Sequence, residues 1–173
     1  MNIFLIGFMG TGKSTISAVL GKELSTEVIE MDELIVKRQE MPISQIFETR
    51  GEEYFRELET GLLVELQQRD GVIVSCGGGT PMRECNVAEM KKSGIIVLLT
   101  ARPETIFERV RYSHNRPLIE HNKTVEYIAE LLEKRREKYE TAADVTIATD
   151  GKDTREICRE IQDSVKEWEK QSC

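Results

Sequence analysis

The stretch Gly7-Phe8-Met9-Gly10-Thr11-Gly12-Lys13-Ser14 constrains this chain more than any other. It follows the apolar run Ile3 to Ile6 and precedes a helical pattern, so a G-x-x-x-x-G-K-S motif stands between a strand and a helix, the setting in which it cradles phosphates. Glycines let the backbone turn tightly enough for consecutive N–H groups to face one concavity. The next helix brings its positive dipole end to the same point. An anion belongs there. Lys13 can reach terminal phosphates, and the Ser14 hydroxyl can hold a magnesium ion that keeps most of its water. A glycine-rich turn with a surface lysine is the bland alternative, and both flanks weigh against it. The motif implies binding of a nucleoside triphosphate, with ATP expected.

The rest of the chain is sized for one such site. Its 173 residues, 39% hydrophobic and 32% charged, suffice for one globular domain over 1–173. With 24 basic and 31 acidic residues the net charge is -7, which argues against a protein that tracks a nucleic-acid backbone. Met1-Asn2-Ile3 runs directly into the first strand without a basic leader, and no apolar run reaches the ~18 residues of a membrane span. A cytoplasmic protein is expected. Cys76, Cys85, Cys158 and Cys173 form no C-x-x-C pair, so reduced thiols are the default.

Strands and helices alternate throughout. Strands are expected at 2–7, 27–30, 72–75, 95–99 and 145–148, the first unbroken in its apolar character as in a parallel sheet buried on both faces. Helices are expected at 14–24, 33–39, 43–68 with an interruption near Gly51, 84–92, from Pro103, about 124–141, and 154–169. The segment 112–122 has no periodicity and reads as a loop. This pattern is that of a doubly wound α/β sheet, in which ligands bind beyond the carboxyl ends of the strands. Three sets of residues should therefore converge: the phosphate loop, Glu30 with Asp32, and Gly77-Gly78-Gly79.

Each set has a chemical reading and a plainer one. If strand geometry persists, Glu30 and Asp32 share a side, one nearer the metal and one nearer an acceptor hydroxyl whose proton a carboxylate can take. Asp32 can equally cap a helix beginning at Glu33. Three glycines at the ligand edge suit close approach of a small polar molecule, or make a loose connection. Arg56 and Glu59 are three apart on one helix face, where a surface ion pair is the ordinary outcome. Arg109, Arg111 and Arg116 surround the irregular loop, from which an arginine can close on a transferring phosphoryl group. Arg135-Arg136, ahead of Tyr139, can clamp a carboxylate. His114, His121 and Trp168 read as structural.

The phosphate loop with Thr15, Met31-Asp32, Ile46-Phe47 with Gly51-Glu52, Phe55-Arg56-Glu57-Leu58-Glu59, Gly77-Gly78-Gly79, Arg116-Pro117-Leu118, and Arg135 four before Tyr139 together resemble the shikimate kinases, in order and over nearly the whole chain. The resemblance implies a nucleoside-monophosphate-kinase-like fold with a five-stranded parallel sheet, a lid over about 112–122, and a shikimate-binding helical region over about 32–60. It implies phosphorylation of the shikimate 3-hydroxyl by ATP with Mg2+, by a monomer, in aromatic amino-acid biosynthesis. By position, Asp32 would bind the shikimate hydroxyls and act as base, with Lys13 and the lid arginine Arg116 as the other catalytic residues. Arg56, Gly77, Gly78, Gly79 and Arg135 would hold shikimate, the arginines on its carboxylate. Gly10, Thr11, Gly12, Lys13, Ser14, Thr15, Arg109, Arg116 and Lys152 would bind ATP. Ser14 and Glu30 would serve the metal, Glu30 directly or through water, because the family commonly has aspartate at that position.

Gluconate kinases and nucleoside-monophosphate kinases share the loop and the size, but account less readily for Arg56, Gly77 to Gly79 and Arg135 as a set. A nucleotide-dependent switch is disfavoured because Asn122-Lys123-Thr124-Val125 lacks the last aspartate of the guanine-reading pattern. Neither 72–75 nor 95–99 ends in an acid for magnesium, which also counts against it.

Overall fold

The computed structural model describes residues 1–112, 119 and 122–172. Five strands, β1 (Asn2–Ile6), β2 (Val28–Glu30), β3 (Ile73–Ser75), β4 (Gly94–Thr100) and β5 (Val145–Ala148), form one parallel sheet in the order β2-β3-β1-β4-β5. The five-stranded parallel sheet expected from the sequence is thus present. The chain leaves the central strand β1 for one edge, returns to β1 as β3, and then crosses to β1's other side as β4. A crevice therefore opens beyond the carboxyl end of β1, between the ends of β3 and β4.

Alternation along the strands sends side chains to two apolar layers. Leu5, Ile73, Val97 and Ile147 face α1 (Lys13–Leu24) and α8 (Thr154–Ser172), which cover them with Ile16, Leu20, Ile157 and Ile161. Phe4, Ile6, Val74, Ile96 and Leu98 face the other layer, built from α2 (Met31–Gln39), α3 (Ile43–Arg50), α4 (Glu52–Leu66), α5 (Glu84–Ser93), α6 (Pro103–Val110) and α7 (Val125–Ala142). Trp168 packs against the first layer, the structural role expected of it.

Two boundaries differ from the sequence reading in ways that matter for the site. β2 gives way to helix at Met31, with Glu30 as the extended residue before it, so Asp32 lies in the first turn of α2. It is neither the cap of a helix starting at Glu33 nor the continuation of a strand. An acid in a first turn is favoured by the helix dipole, which explains the early start. The helical stretch expected over 43–68 is interrupted at Gly51, with φ 88°, as expected, giving α3 and α4, but α4 ends at Leu66 rather than 68.

Candidate active site

The phosphate loop emerges from β1 at Gly7, whose φ of 148° and whose approach to β4 both require glycine: a Cβ there would stand 2.5 Å from the Leu99 carbonyl oxygen. Its turn is held from within. Thr11 Oγ1 donates to the Phe8 carbonyl at 2.8 Å, and Lys13 Nζ donates to the carbonyls of Gly7 at 2.7 Å and Phe8 at 3.0 Å. Gly12, with φ 95°, precedes the first helical residue Lys13, so the first-turn N–H groups of α1 open toward the loop's concavity. Thr15 sits exposed in that first turn.

Glu30 reaches back to this helix. One carboxylate oxygen lies 3.1 Å from Ser14 Oγ and the other 2.9 Å from the buried hydroxyl of Ser17. Arg109, from the end of α6, donates to the Gly10 carbonyl at 2.9 Å and to Thr149 Oγ1 at 3.2 Å. It therefore bridges the phosphate loop and the segment after β5. Lys152, in that same segment, pairs with Glu160 of α8 at 2.8 Å.

Beside the loop lies a cavity of about 340 Å³ lined by Glu52, Glu53, Arg56, Gly79, Met82, Arg83 and Arg135. Arg56 donates to Glu59 at 2.9 Å and to Glu52 at 3.2 Å. Glu59 is wholly buried and also accepts from Thr80 Oγ1 at 2.9 Å. Burial holds its carboxyl above the usual carboxylate range, against the pull of Arg56 and of the Thr80 hydroxyl. The expected surface ion pair is thus a strut: Glu59 reaches under the glycine run and fixes the root of the Arg56 guanidinium. Arg83 is engaged by Glu53 and Glu57.

The triple glycine is where these elements touch. A Cβ on Gly79 would stand 2.6 Å and 2.7 Å from the two terminal nitrogens of Arg56, so the tip of the guanidinium occupies the space a side chain would take there. A Cβ on Gly77 would stand 2.8 Å from Asp32 Oδ1 and 3.1 Å from Glu59 Oε1. Asp32, from α2, therefore reaches the same wall as Arg56. Arg135, from α7, sits with its guanidinium carbon 5.9 Å from the centre of the Phe8 ring. A cationic fork thus rests directly on the phosphate loop.

Asp32, Arg56, Gly77, Gly78, Gly79 and Arg135 are therefore gathered around the loop that carries Lys13 and Ser14. Arg136 is not part of the cluster: one residue further round α7, it is exposed and pairs with Glu133 at 3.0 Å, so no paired-arginine clamp forms. Arg111 pairs with Glu108 at 3.3 Å. Arg116, His114, His121 and most of the expected lid over 112–122 lie outside the described residues. Sequence reasoning missed Ser17, Phe8 and Thr149. Ser17 stands 13 positions from its carboxylate partner and carries no local signal. Cys76, Cys85 and Cys158 are free thiols. Burial pushes Cys158 up to about 11 and Cys76 higher still, so neither is a nucleophile.

Comparison with known proteins converges on one family. The family model described as shikimate kinase matches residues 9–166. A shikimate kinase of Dehalococcoides mccartyi is 39% identical over 171 residues, covering 99% of this chain and 97% of that protein. The structure of shikimate kinase from Acinetobacter baumannii in complex with shikimate superposes with a TM-score of 0.86 at 33% identity, covering 93% of this chain and 90% of that one. A gluconokinase from Sinorhizobium meliloti, with a TM-score of 0.62 at 18% identity over 96% of this chain and 91% of its own, shares the fold. Loop, glycine wall and arginine pair stand together in a chain matched along nearly its whole length, and the chain belongs to the shikimate kinase family.

Proposed function

We propose that this chain transfers the γ-phosphoryl group of ATP to the 3-hydroxyl of shikimate, giving shikimate 3-phosphate and ADP in the route to chorismate and the aromatic amino acids. The observation that carries the reading is the cavity beside the phosphate loop, which presents two guanidiniums, Arg56 and Arg135, with the Asp32 carboxylate at the adjoining glycine wall. A small hydroxylated anion needs that combination: forked donors for its carboxylate and an acceptor for its hydroxyls.

Each residue then has a task. Arg56 and Arg135 bind the carboxylate, and the Gly77 to Gly79 backbone lets the ring approach. Asp32 orients the hydroxyl and takes its proton as the oxygen attacks the γ-phosphorus and the bond to the β–γ bridging oxygen breaks. Lys13 and the loop N–H groups neutralise charge on the phosphates, joined by Arg116 from a lid over 112–122. Gly10, Thr11, Gly12 and Thr15 complete the phosphate cradle. Arg109 contributes to the adenine side, and Lys152 borders the same segment.

A divalent cation fits the donor set. Ser14 Oγ and the Glu30 carboxylate are hard oxygen ligands 3.1 Å apart at the helix start, and among the described residues no cluster of three or more His, Cys, Asp or Glu side chains offers an alternative cage. One or two protein oxygens plus phosphates and water is the manner in which Mg2+ is held. Held by Ser14 and Glu30, it would supply positive charge against the charge on the phosphates. The reading includes a monomeric enzyme of the cytoplasm without nucleic-acid partners, the last supported by the net charge of -7. Among the described residues no helix is long and apolar enough to cross a membrane.

The test is ADP release with magnesium-ATP, offering shikimate, gluconate and nucleoside monophosphates in parallel against a blank without acceptor. Selective turnover with shikimate is expected. Preference for another acceptor would overturn the substrate, and hydrolysis independent of acceptor would overturn the kinase reading itself.

A further inference from the structure

The Arg135 side chain must reach across from α7 to the cavity, and a long cationic side chain loses rotamer freedom when it is fixed there. A guanidinium that receives a carboxylate in a defined pose gains from being ordered beforehand. Two contacts order it. Its guanidinium carbon lies over the Phe8 ring, 5.9 Å from the ring centre, and its Nη1 lies 3.5 Å from the phenol oxygen of Tyr139, one helical turn on along the same face.

Tyr139 is itself anchored where it counts. It is 4% exposed, and its hydroxyl donates to the Gly78 carbonyl at 2.7 Å. That donation fixes the direction of the phenol lone pairs, leaving them toward Arg135. Burial raises the phenol's pKa above its usual value, so it remains a protonated donor across neutral pH. A phenylalanine would fill the same apolar volume, and the proton of the buried hydroxyl is taken by a carbonyl in the middle of the glycine wall. A Cβ on Gly78 would itself stand 3.7 Å from Arg135 Nη1, so wall, phenol and guanidinium meet at one point. The neighbouring Lys138 adds an exposed tether, donating to the Met82 carbonyl at 2.8 Å just beyond the wall.

We infer that Tyr139 is a positioning residue for the reaction: its hydroxyl sets the Arg135 guanidinium and the Gly78 carbonyl in fixed relation, so that the carboxylate-binding fork is in place before the acceptor arrives. The inference rests on the proposed shikimate kinase activity and adds to it a residue that touches neither substrate.

Steady-state kinetics of Tyr139→Phe, alone and combined with Arg135→Gln, test it. Loss of one hydrogen bond of this kind is expected to raise the KM for shikimate roughly five- to tenfold, with kcat and the KM for ATP changed by less than about twofold and the melting temperature nearly kept. In the Arg135→Gln background the same substitution is expected to change the KM by less than about twofold, because the group through which it acts is gone. Lys138→Ala, which removes the exposed tether, should leave the KM at the wild-type value. An unchanged KM in Tyr139→Phe overturns the inference. So does an equal rise in both backgrounds, or a fall confined to kcat. If the wild-type chain turns over shikimate and these variants behave so, the positioning role alone falls; if the wild-type chain does not turn it over, the functional reading falls as well.

Discussion

The two halves of the candidate site are built in opposite ways. The nucleotide half is built around backbone from one contiguous stretch, Gly7 to Ser14, whose shape follows from φ angles and from the packing of β1 against β4. The acceptor half is nearly all side chain, drawn from α2, α4, the glycine run and α7, and held by ion pairs and hydroxyls. A site made of backbone is as rigid as the sheet that carries it, and fails when the fold fails. A site made of side-chain tips can lose affinity while the fold stands.

The largest effect should come where the two halves meet. Asp32→Asn removes the acceptor for the hydroxyl proton without touching the phosphate loop. A fall in kcat of about two to four orders of magnitude is expected with ATP affinity retained, as measured by ADP release and nucleotide titration. Near-normal turnover would remove Asp32 from its role. Next in size is Gly7→Ala, which forces a Cβ against the Leu99 carbonyl oxygen at 2.5 Å and a strained φ of 148°. At least about 1–3 kcal/mol of stability should be lost, and a melting curve would register it before any change in shikimate affinity is read.

Gly79→Ala is the matched change on the acceptor side. Its Cβ meets only the tip of Arg56, at 2.6 Å, and a guanidinium tip can move. The variant should melt close to wild type while the KM for shikimate rises by roughly tenfold, the scale of a charge-assisted hydrogen bond displaced. If Gly79→Ala instead unfolds the chain, the contrast between the two halves is wrong.

The smallest effect concerns pH. The Glu59 carboxyl is raised in the folded state by burial, so the folded state holds its proton more tightly than the unfolded chain does. Stability associated with this group is therefore full below the ordinary carboxylate range and declines as pH rises through its raised value. Glu59→Gln should flatten that part of a stability-against-pH curve while loosening Arg56. A wild-type curve without such a decline would show that Arg56 and Thr80 outweigh burial.

The same contrast decides what could be read from the sequence. The phosphate loop was legible because every residue it needs is adjacent and its glycines are required locally. Arg56 and Glu59 were legible as touching, since three positions on a helix bring side chains together, but the burial of Glu59 depends on Thr80, which comes 21 residues later. Residue chemistry alone left Arg135 and Arg136 as a pair, and only the resemblance singled out Arg135: successive helical residues differ by about 100° in direction, and the packing of α7 decides which one faces the cavity. Ser17 was silent because it acts through a carboxylate from another element, and Tyr139 was legible only as the residue four beyond Arg135, its bond to the Gly78 carbonyl being set by another element. Asp32 was expected near the glycine run by a strand argument; the structure brings it to Gly77 from a helical turn instead.

The close contact between Arg56 and Gly79 has a consequence for descent. Because the guanidinium occupies the space that a side chain at position 79 would take, a change at one position alters the cost of a change at the other. A lineage that keeps the arginine in place accepts a side chain there only by displacing the guanidinium, and one that first loses the arginine is released. Substitutions at these sites should therefore be ordered in time, with the arginine changing first, and a side chain harmless in one ancestor should be damaging in another.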